Sequence, residues 1–305
     1  MKKITAFCVL ALSIQGSIAQ QTRFINDPQG TFKQAKEFFQ REQYSLAYPI
    51  LKDLQLQLRE HDRTDQAITA QEIKYYTTVC ALKQNERGAV EKARDFIDLE
   101  DNNSRVQMMS FHLAEYYFRQ GDYAKALEQY EATNIENLSN REIADLKFHQ
   151  GYAYFNAKQF DKAKPLFDAI RQMKDDPNYI DANYYYGFLA FNDKEYRKAL
   201  EAFEIVEDHP QYGQVVPYYI ANIHYALGQK DKALEYAENK LKRGNLYYDL
   251  EMRQIVGHAY FEKKEYAKAL PYLETYVAKS DKVRREDVYE LSYCYYQANN
   301  LNKAI

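Results

Sequence analysis

The chain has 305 residues with 41 basic and 44 acidic side chains, a formal net charge of −3 at pH 7. Its composition, 46% hydrophobic and 28% charged, argues against long disorder. The charge balance disfavours nucleic acid as a partner, because binding it requires a basic surface that replaces counterions. The ten Gly and seven Pro residues are few for this length and favour helices over a β architecture with many turns.

The N-terminus has the features of a secretory signal. Lys2 and Lys3 are followed by a mostly apolar run over 4–14 and by the small residues Ser17 and Ala19 at a cleavage-type spacing. The run is too short to span a membrane, and no later stretch reaches the roughly 18 apolar residues that a span needs. We therefore predict a signal peptide over 1–19, no membrane span and an exported, periplasmic protein. Secretion and association with the outer membrane are the alternatives.

A pattern of small and aromatic residues recurs along the rest of the chain. Gly151 is followed by Tyr154, Phe160, Ala163 and Phe167, at offsets of 3, 9, 12 and 16. The same steps from Gly187 lead to Ala190, Tyr196, Ala199 and Phe203. The alanines at offset 12 lie 34 to 42 residues apart, at 47, 89, 126, 163, 199, 233, 269 and 304. This period predicts stacked helix pairs.

The order small residue, aromatic, turn, aromatic-x-x-Ala and large apolar residue resembles the tetratricopeptide repeat family. The resemblance covers nearly all of residues 20–305, although the Trp common in the family's first helix is absent. It implies an all-α fold, a right-handed superhelical solenoid of stacked antiparallel helix pairs. We place repeat 1 at about 29–60, a degenerate repeat 2 at about 68–100, repeats 3–7 at about 106–280 and a partial repeat 8 at about 285–305.

Single residues predict further local features of these repeats. Gly121 should end one helix and Asp122 should cap the next. Three prolines, Pro49, Pro165 and Pro271, lie two residues after a repeat alanine, inside the predicted second helices, where proline bends a helix. Cys80 and Cys294 lie on apolar helix faces at opposite ends of the array, so we expect free, buried thiols.

The first helices carry a second aromatic face. At 100° per residue, Tyr154 lies on the stripe shared with the second helix, and we expect Phe160 and Phe167 to fill the inside with it. Four residues after the small residue, seven of eight repeats have an aromatic ring; three residues before it, six do. In a stack of pairs this face lines a groove. The predicted partner-binding residues are Phe111, Phe118, Arg119, Phe148, Tyr152, Phe155, Asn156, Tyr184, Phe188, Phe191, Asn192, Tyr218, Asn222 and Tyr225.

These residue types suit a peptide ligand. Tyr and Phe offer contact area with few rotamers to freeze, and Asn can hydrogen-bond an extended backbone. Asp145 and Asp181 along one edge favour a basic or neutral partner. The resemblance implies a non-catalytic scaffold or adaptor, here of the cell envelope, that binds a protein or peptide partner. Two alternatives remain: glycan binding on the same rings, and rings that only pack between successive first helices.

No catalytic, cofactor or metal site is predicted. The six His residues form no H-E-x-x-H motif and no Cys/His zinc spacing, and no nucleophile motif or phosphate-binding Gly-rich loop occurs. At the other end, only Ile305 follows Ala304 of the eighth repeat. We expect either a C-terminal continuation or a partner that covers repeat 8, since Tyr293, Tyr295 and Tyr296 would otherwise be partly exposed.

Overall fold

The structure is a computed structural model that describes residues 27–60 and 67–304. The predicted signal peptide at 1–19 lies outside the described residues. The described part holds sixteen α-helices, one 3-10 turn and no strand. It divides into two compact units, and the boundary between Ala157 and Lys158 lies in the turn inside the fourth repeat.

Unit 1 contains three complete helix pairs and the first helix of the fourth repeat. The helices of a pair pack on each other, and successive first helices pack as well. A short 3-10 helix, Ile135–Asn137, precedes the last helix. The helices are α1 (Pro28–Gln40), α2 (Tyr44–Glu60), α3 (Ala67–Lys83), α4 (Ala89–Leu99), α5 (Asn103–Arg119), α6 (Tyr123–Glu131) and α7 (Asn140–Asn156).

Unit 2 continues with the second helix of the fourth repeat, three complete pairs and a final short pair. The predicted all-α fold of stacked helix pairs is thus confirmed within each unit. The helices are α8 (Phe160–Ile170), α9 (Tyr179–Asn192), α10 (Tyr196–Val206), α11 (Val216–Ala226), α12 (Lys230–Arg243), α13 (Asp249–Glu262), α14 (Tyr266–Lys279), α15 (Arg285–Gln297) and α16 (Leu301–Ala304). No described helix in either unit is both long and apolar enough to cross a membrane.

The small residue of each repeat allows the two helices of a pair to approach closely. A Cβ atom added to Gly187 would lie 2.9 Å from Cε1 of Phe203, and one added to Gly257 would lie 2.7 Å from Cδ2 of Leu273. Real Cβ contacts are not this short, so glycine is required at both positions. Phe203 and Leu273 are fully buried. Residues 16 positions apart are therefore in contact: the large apolar side chain occupies the space that the glycine leaves free.

In seven of the eight repeats, the turn inside the pair uses a left-handed residue seven positions after the small residue. Gly121 and Gly228 have φ values of 75° and 74°, and Lys158, Lys194 and Lys264 adopt similar values. Asp122 caps α6, because its side chain accepts a hydrogen bond from the Lys125 backbone N–H. The predicted turn at Gly121 and the cap at Asp122 are confirmed.

The three prolines lie inside the second helices, as predicted. Pro49, Pro165 and Pro271 each follow the first residue of α2, α8 and α14 by five positions. All three are exposed. The backbone carbonyl that loses its partner is therefore near the start of the helix, on the outer side, where water can satisfy it. Their recurrence follows from a position at which proline costs little.

Two buried-residue predictions need correction. Phe160, predicted to fill the inside of its repeat, is 39% exposed, because it is the first residue of α8 and its ring lies at the helix end. Tyr295, predicted to be partly exposed, is buried, and its hydroxyl donates to Glu274 at 2.6 Å. Tyr154 and Phe167 are buried as expected, and Cys80 and Cys294 are free, buried thiols.

Candidate functional site

The predicted partner-binding residues separate into three groups by exposure. Phe111 and Phe148 are only 2% and 7% exposed, so the structure makes them core residues and removes them from the candidate surface. The offset alone does not decide this, because Tyr184 and Tyr218 occupy the same position in their repeats and are half-buried. Arg119, Asn156 and Asn192 are exposed. The others are half-buried: Phe118, Tyr152, Phe155, Tyr184, Phe188, Phe191, Tyr218, Asn222 and Tyr225.

The rings four residues after the small residue pack against other rings. In unit 1, Phe118 stacks on His149, with centroids 4.1 Å apart, and meets Tyr123 and Tyr152 edge-on or tilted. In unit 2, Phe191 contacts Tyr196 at 6.0 Å and Tyr219 at 5.2 Å. Each ring thus lies between the turn of its own repeat and the next first helix. These contacts fix the rings while part of each surface stays exposed.

The polar side chains beside these rings differ in whether they already form a hydrogen bond within the protein. Asn156 donates to the Tyr152 carbonyl at 2.9 Å, and Asn222 donates to the Tyr218 hydroxyl at 3.2 Å. Arg119 donates to the Leu82 carbonyl at 3.0 Å. Asn192 is exposed, and its amide has no hydrogen bond to any other residue that the structure describes. Asn192 is therefore the amide with most bonding capacity left for a ligand.

In unit 1, a histidine on one first helix bonds a carboxylate on the preceding one. His149 donates through Nδ1 to Oε1 of Glu115 at 2.9 Å, and the Tyr130 hydroxyl donates to the same oxygen at 2.6 Å. Burial acts to raise the pKa of Glu115, but these hydrogen bonds outweigh it and hold the pKa below its usual value. His112 lies 2.9 Å from the Tyr75 hydroxyl, and complete burial lowers its pKa to about 3, so it stays neutral.

Unit 2 contains a second bridge of this kind, between α13 and α15. His258 lies between Asp287, 2.9 Å from Nε2, and Glu290, which contacts Nδ1. Asp287 is fully buried and also accepts from Gln254 and from the Arg284 backbone N–H, both at 2.7 Å. Both ring nitrogens of His258 face carboxylates, so neither is left for a metal. The described residues contain no group of three or more side chains that could hold a metal ion.

This bridge predicts that unit 2 loses stability as pH rises. Burial opposes protonation of His258, but Glu290 and Asp287 outweigh it and raise its pKa above 6.5. Because the folded-state pKa is the higher one, the contribution is complete below 6.5 and is lost as pH rises through the raised value. We expect His258→Gln to lower the free energy of unfolding by on the order of 1 kcal/mol at pH 6, and by less at pH 9. Thermal unfolding followed by circular dichroism across this range measures the difference.

The matched control is His224→Gln. His224 is a half-buried histidine in the same unit that bonds Gln229 rather than a carboxylate. His224→Gln therefore removes a histidine of this unit without removing a histidine–carboxylate bridge. A His258→Gln difference from wild type that is constant from pH 6 to pH 9 would contradict the protonated bridge.

Three tyrosines at the candidate surface were not predicted from the sequence, and one of them, Tyr212, is buried beneath it. Tyr212, Tyr247 and Tyr248 lie in the loops before α11 and α13, outside the repeat offsets. Tyr212 stacks on Tyr184 with centroids 4.1 Å apart and an interplanar angle of 14°, and Tyr248 lies 4.7 Å from Tyr218. The sequence shows only that two successive loops of unit 2 contain tyrosines. In the structure, each loop brings a tyrosine to a tyrosine of a first helix.

The helix pairs recur with a glycine or alanine opposite a large apolar residue, which defines a helical-repeat protein. The aromatic and polar side chains of the candidate site pack between repeats and leave part of their surface exposed. Two segments, 81–136 and 218–284, match the family model of the tetratricopeptide repeat, one in each unit. Both units thus contain tetratricopeptide repeats, the family that the sequence pattern resembles.

Several solved structures are similar to this chain at low sequence identity. YrrB, described as a TPR protein with an unusual peptide-binding site, is 16% identical, with a TM-score of 0.49 over 70% of this chain and 100% of that one. The apo form of RapI is 14% identical, with a TM-score of 0.46 over 91% and 85%. A tetratricopeptide repeat protein from Parabacteroides merdae is 14% identical, with a TM-score of 0.42 over 88% and 98%. No curated protein sequence matches this chain.

Proposed function

We propose that the protein is a non-catalytic scaffold or adaptor of the cell envelope that binds a peptide segment or a helix of a partner protein. Tetratricopeptide repeats are generally interaction scaffolds without catalysis. The observation that carries the proposal is the set of half-exposed rings on the first helices, several of which, such as Phe118 and Phe191, are held by neighbouring rings. The envelope location rests on the N-terminal pattern of Lys2, Lys3, the apolar run over 4–14 and Ala19.

The best-defined part of this surface in unit 2 surrounds Phe191. Its ring is held by Tyr196 and Tyr219, so little side-chain entropy remains to be lost when a partner binds. Asn192 follows it on α9 with its amide exposed. Tyr225, at the same offset in the next repeat, is half-buried and donates its hydroxyl to Glu262 at 2.7 Å. A fixed ring beside an available amide suits both the side chain and the backbone of a bound segment.

Site-specific photocrosslinking in intact cells tests this proposal. A benzophenone-bearing amino acid replaces Asn192 in one variant and Glu201 in the control. Both residues are exposed, but Glu201 lies on α10, the second helix of the same pair. We expect Asn192 to capture a defined protein whose crosslinked segment, as a synthetic peptide, competes with the capture. Capture of the same proteins from both positions, or no competition by the peptide, would count against a peptide-binding face.

The substitution Asn192→Ala examines the glycan alternative. Sugars stack on ring faces and need no amide that matches a peptide backbone. Soluble envelope glycan that binds wild type and Asn192→Ala equally, while the synthetic peptide does not bind, would favour glycan recognition. Peptide binding that Asn192→Ala weakens by about tenfold would favour the scaffold, since one hydrogen bond is worth on the order of 1 kcal/mol.

A further inference from the structure

One surface of unit 2 combines tyrosine rings with carboxylates. We call it the tyrosine–acid surface, and it consists of Asp181, Tyr184, Tyr218, Tyr247, Tyr248 and Glu251. Tyr247 is 72% exposed, and the other five residues are half-buried. Only Tyr184 and Tyr218 among them belong to the aromatic face predicted from the repeat pattern. The surface therefore combines groups at repeat offsets with the loop residues Tyr247 and Tyr248.

The rings of the tyrosine–acid surface are fixed by their neighbours. Tyr212 stacks behind Tyr184, and Tyr248 packs on Tyr218. Tyr247 meets Tyr248 edge-to-face, with centroids 4.8 Å apart and an interplanar angle of 82°. The Tyr247 backbone N–H donates to the Gln214 carbonyl at 2.9 Å, which ties the two loops together. An exposed tyrosine on an anchored backbone is a rigid contact rather than a loose side chain.

The two carboxylates occupy equivalent places in repeats 7 and 5, six residues before Gly257 and Gly187. In repeat 7, Glu251 bonds Lys282 at 3.4 Å. The pKa of Lys282 is raised, first by its hydrogen bond to Glu251 and further by Tyr248. The chain itself thus pairs a cation with the carboxylate at this position.

In repeat 5 that cation is missing. Lys282 lies 25 residues after Gly257, and the residue 25 after Gly187 is Tyr212. The Tyr212 hydroxyl donates to Asp181 at 2.6 Å, so the hydrogen bond is kept while the positive charge is not. Within the described ranges no Lys, Arg or His nitrogen lies within 4 Å of the Asp181 carboxylate. Asp181 therefore holds a negative charge beside a tyrosine face without a countercharge.

We infer that the Asp181 end of the tyrosine–acid surface binds an arginine or lysine side chain of an extended segment in a partner protein. The inference deepens the proposed function and rests on it. A cation beside Tyr184 would gain from the negative face of the ring and from a charge-assisted hydrogen bond to Asp181. The bound side chain supplies in repeat 5 the positive charge that Lys282 supplies in repeat 7, while Tyr212 keeps its hydrogen bond to Asp181. An acidic segment would meet two carboxylates here and is disfavoured.

The probe is a fluorescein-labelled Gly-Ser peptide with three evenly spaced arginines, and its twin carries citrulline, which is neutral, in their place. Binding to the full chain is measured by fluorescence anisotropy at low and at high ionic strength. We expect the arginine peptide to bind at least tenfold more tightly than the citrulline peptide at low ionic strength. Asp181→Asn should weaken the arginine peptide by about tenfold, which a charge-assisted hydrogen bond accounts for. Glu201→Gln removes the same charge from the outer side of α10 and should change Kd less than about twofold.

A second variant keeps the test decisive if Asp181→Asn fails to fold. Lys282→Gln releases the Glu251 carboxylate, while the Lys282 side chain itself is 68% exposed and adds little to the fold. We expect it to tighten binding of the arginine peptide severalfold. Equal binding of the arginine and citrulline peptides, or equal losses in Asp181→Asn and Glu201→Gln, would overturn the inference. If the Asn192 crosslink still captures a competed partner in that case, only the cation site fails and the proposed function stands.

Discussion

Phe203→Ala is expected to destabilise the protein by about 3–5 kcal/mol, the usual cost of removing a buried aromatic ring. Phe203 is fully buried and stacks on Tyr219 with centroids 5.1 Å apart and an interplanar angle of 16°. It also fills the space left by Gly187, so its loss opens a cavity between α9, α10 and α11. The neighbouring backbones are helical and cannot close that cavity fully. Urea unfolding of the full chain, followed by circular dichroism, measures the change.

Ile205→Ala is the matched control for this substitution. Ile205 lies on the same helix, two residues further on, and is 39% exposed. Its truncation removes a large apolar side chain without opening an internal cavity, so we expect a loss below about 1 kcal/mol. Equal losses for the two variants would show that the pair core does not depend on the ring opposite the glycine. Hydrogen exchange would locate the Phe203→Ala effect in α9 to α11.

Gly257→Ala is expected to destabilise the protein by about 1–3 kcal/mol, although alanine favours a helix over glycine by about 1 kcal/mol. The substitution lowers the free energy of unfolding because the new methyl group would lie 2.7 Å from two side-chain carbons of Leu273. Leu273 is fully buried and cannot move aside without displacing its own neighbours. Overpacking therefore outweighs the gain in helix propensity. The free energy of unfolding from urea titration reports the result.

The Leu273→Ala background separates these two contributions. Leu273→Ala alone should cost about 2–5 kcal/mol and leave space opposite Gly257. In that background Gly257→Ala should become neutral or stabilising, since the overlap is gone and the propensity gain remains. A loss of the same size in both backgrounds would show that the cost of Gly257→Ala does not come from Leu273.

Much of the fold is predictable because helix pairing leaves a fixed spacing in the sequence. The step of 16 from glycine to a large apolar residue is set by geometry, and Gly187–Phe203 and Gly257–Leu273 confirm it in contact distances. The left-handed turn residue is less visible, because glycine marks it in only some repeats and lysine holds it in others, such as Lys194. The spacing of 16 residues thus predicts how the two helices of a pair pack, whereas the residue type at a single position does not.

The candidate surface was less predictable because a helical angle gives direction but not burial. Phe111 and Phe118 lie on the same predicted face, yet one is buried and the other half-exposed. Loop residues such as Tyr212 and Tyr248 have no periodicity, so only the folded chain brings them to Tyr184 and Tyr218. The histidine bridges are similar, since His149 and Glu115 are 34 residues apart and meet only when two repeats stack.

The histidine bridges also make neighbouring repeats non-interchangeable. The apolar pattern is nearly the same in every copy, so a displaced repeat would find acceptable hydrophobic contacts on many neighbours. Glu115 and Asp287 are buried carboxylates, and each is satisfied by a histidine that only the following or the preceding repeat supplies. A chimera with exchanged or deleted repeats would leave one of these charges buried without its donors, at a cost of several kcal/mol. These two polar pairs therefore help to specify the order of the repeats. The apolar contacts that dominate the core are nearly the same in every repeat and do not specify it.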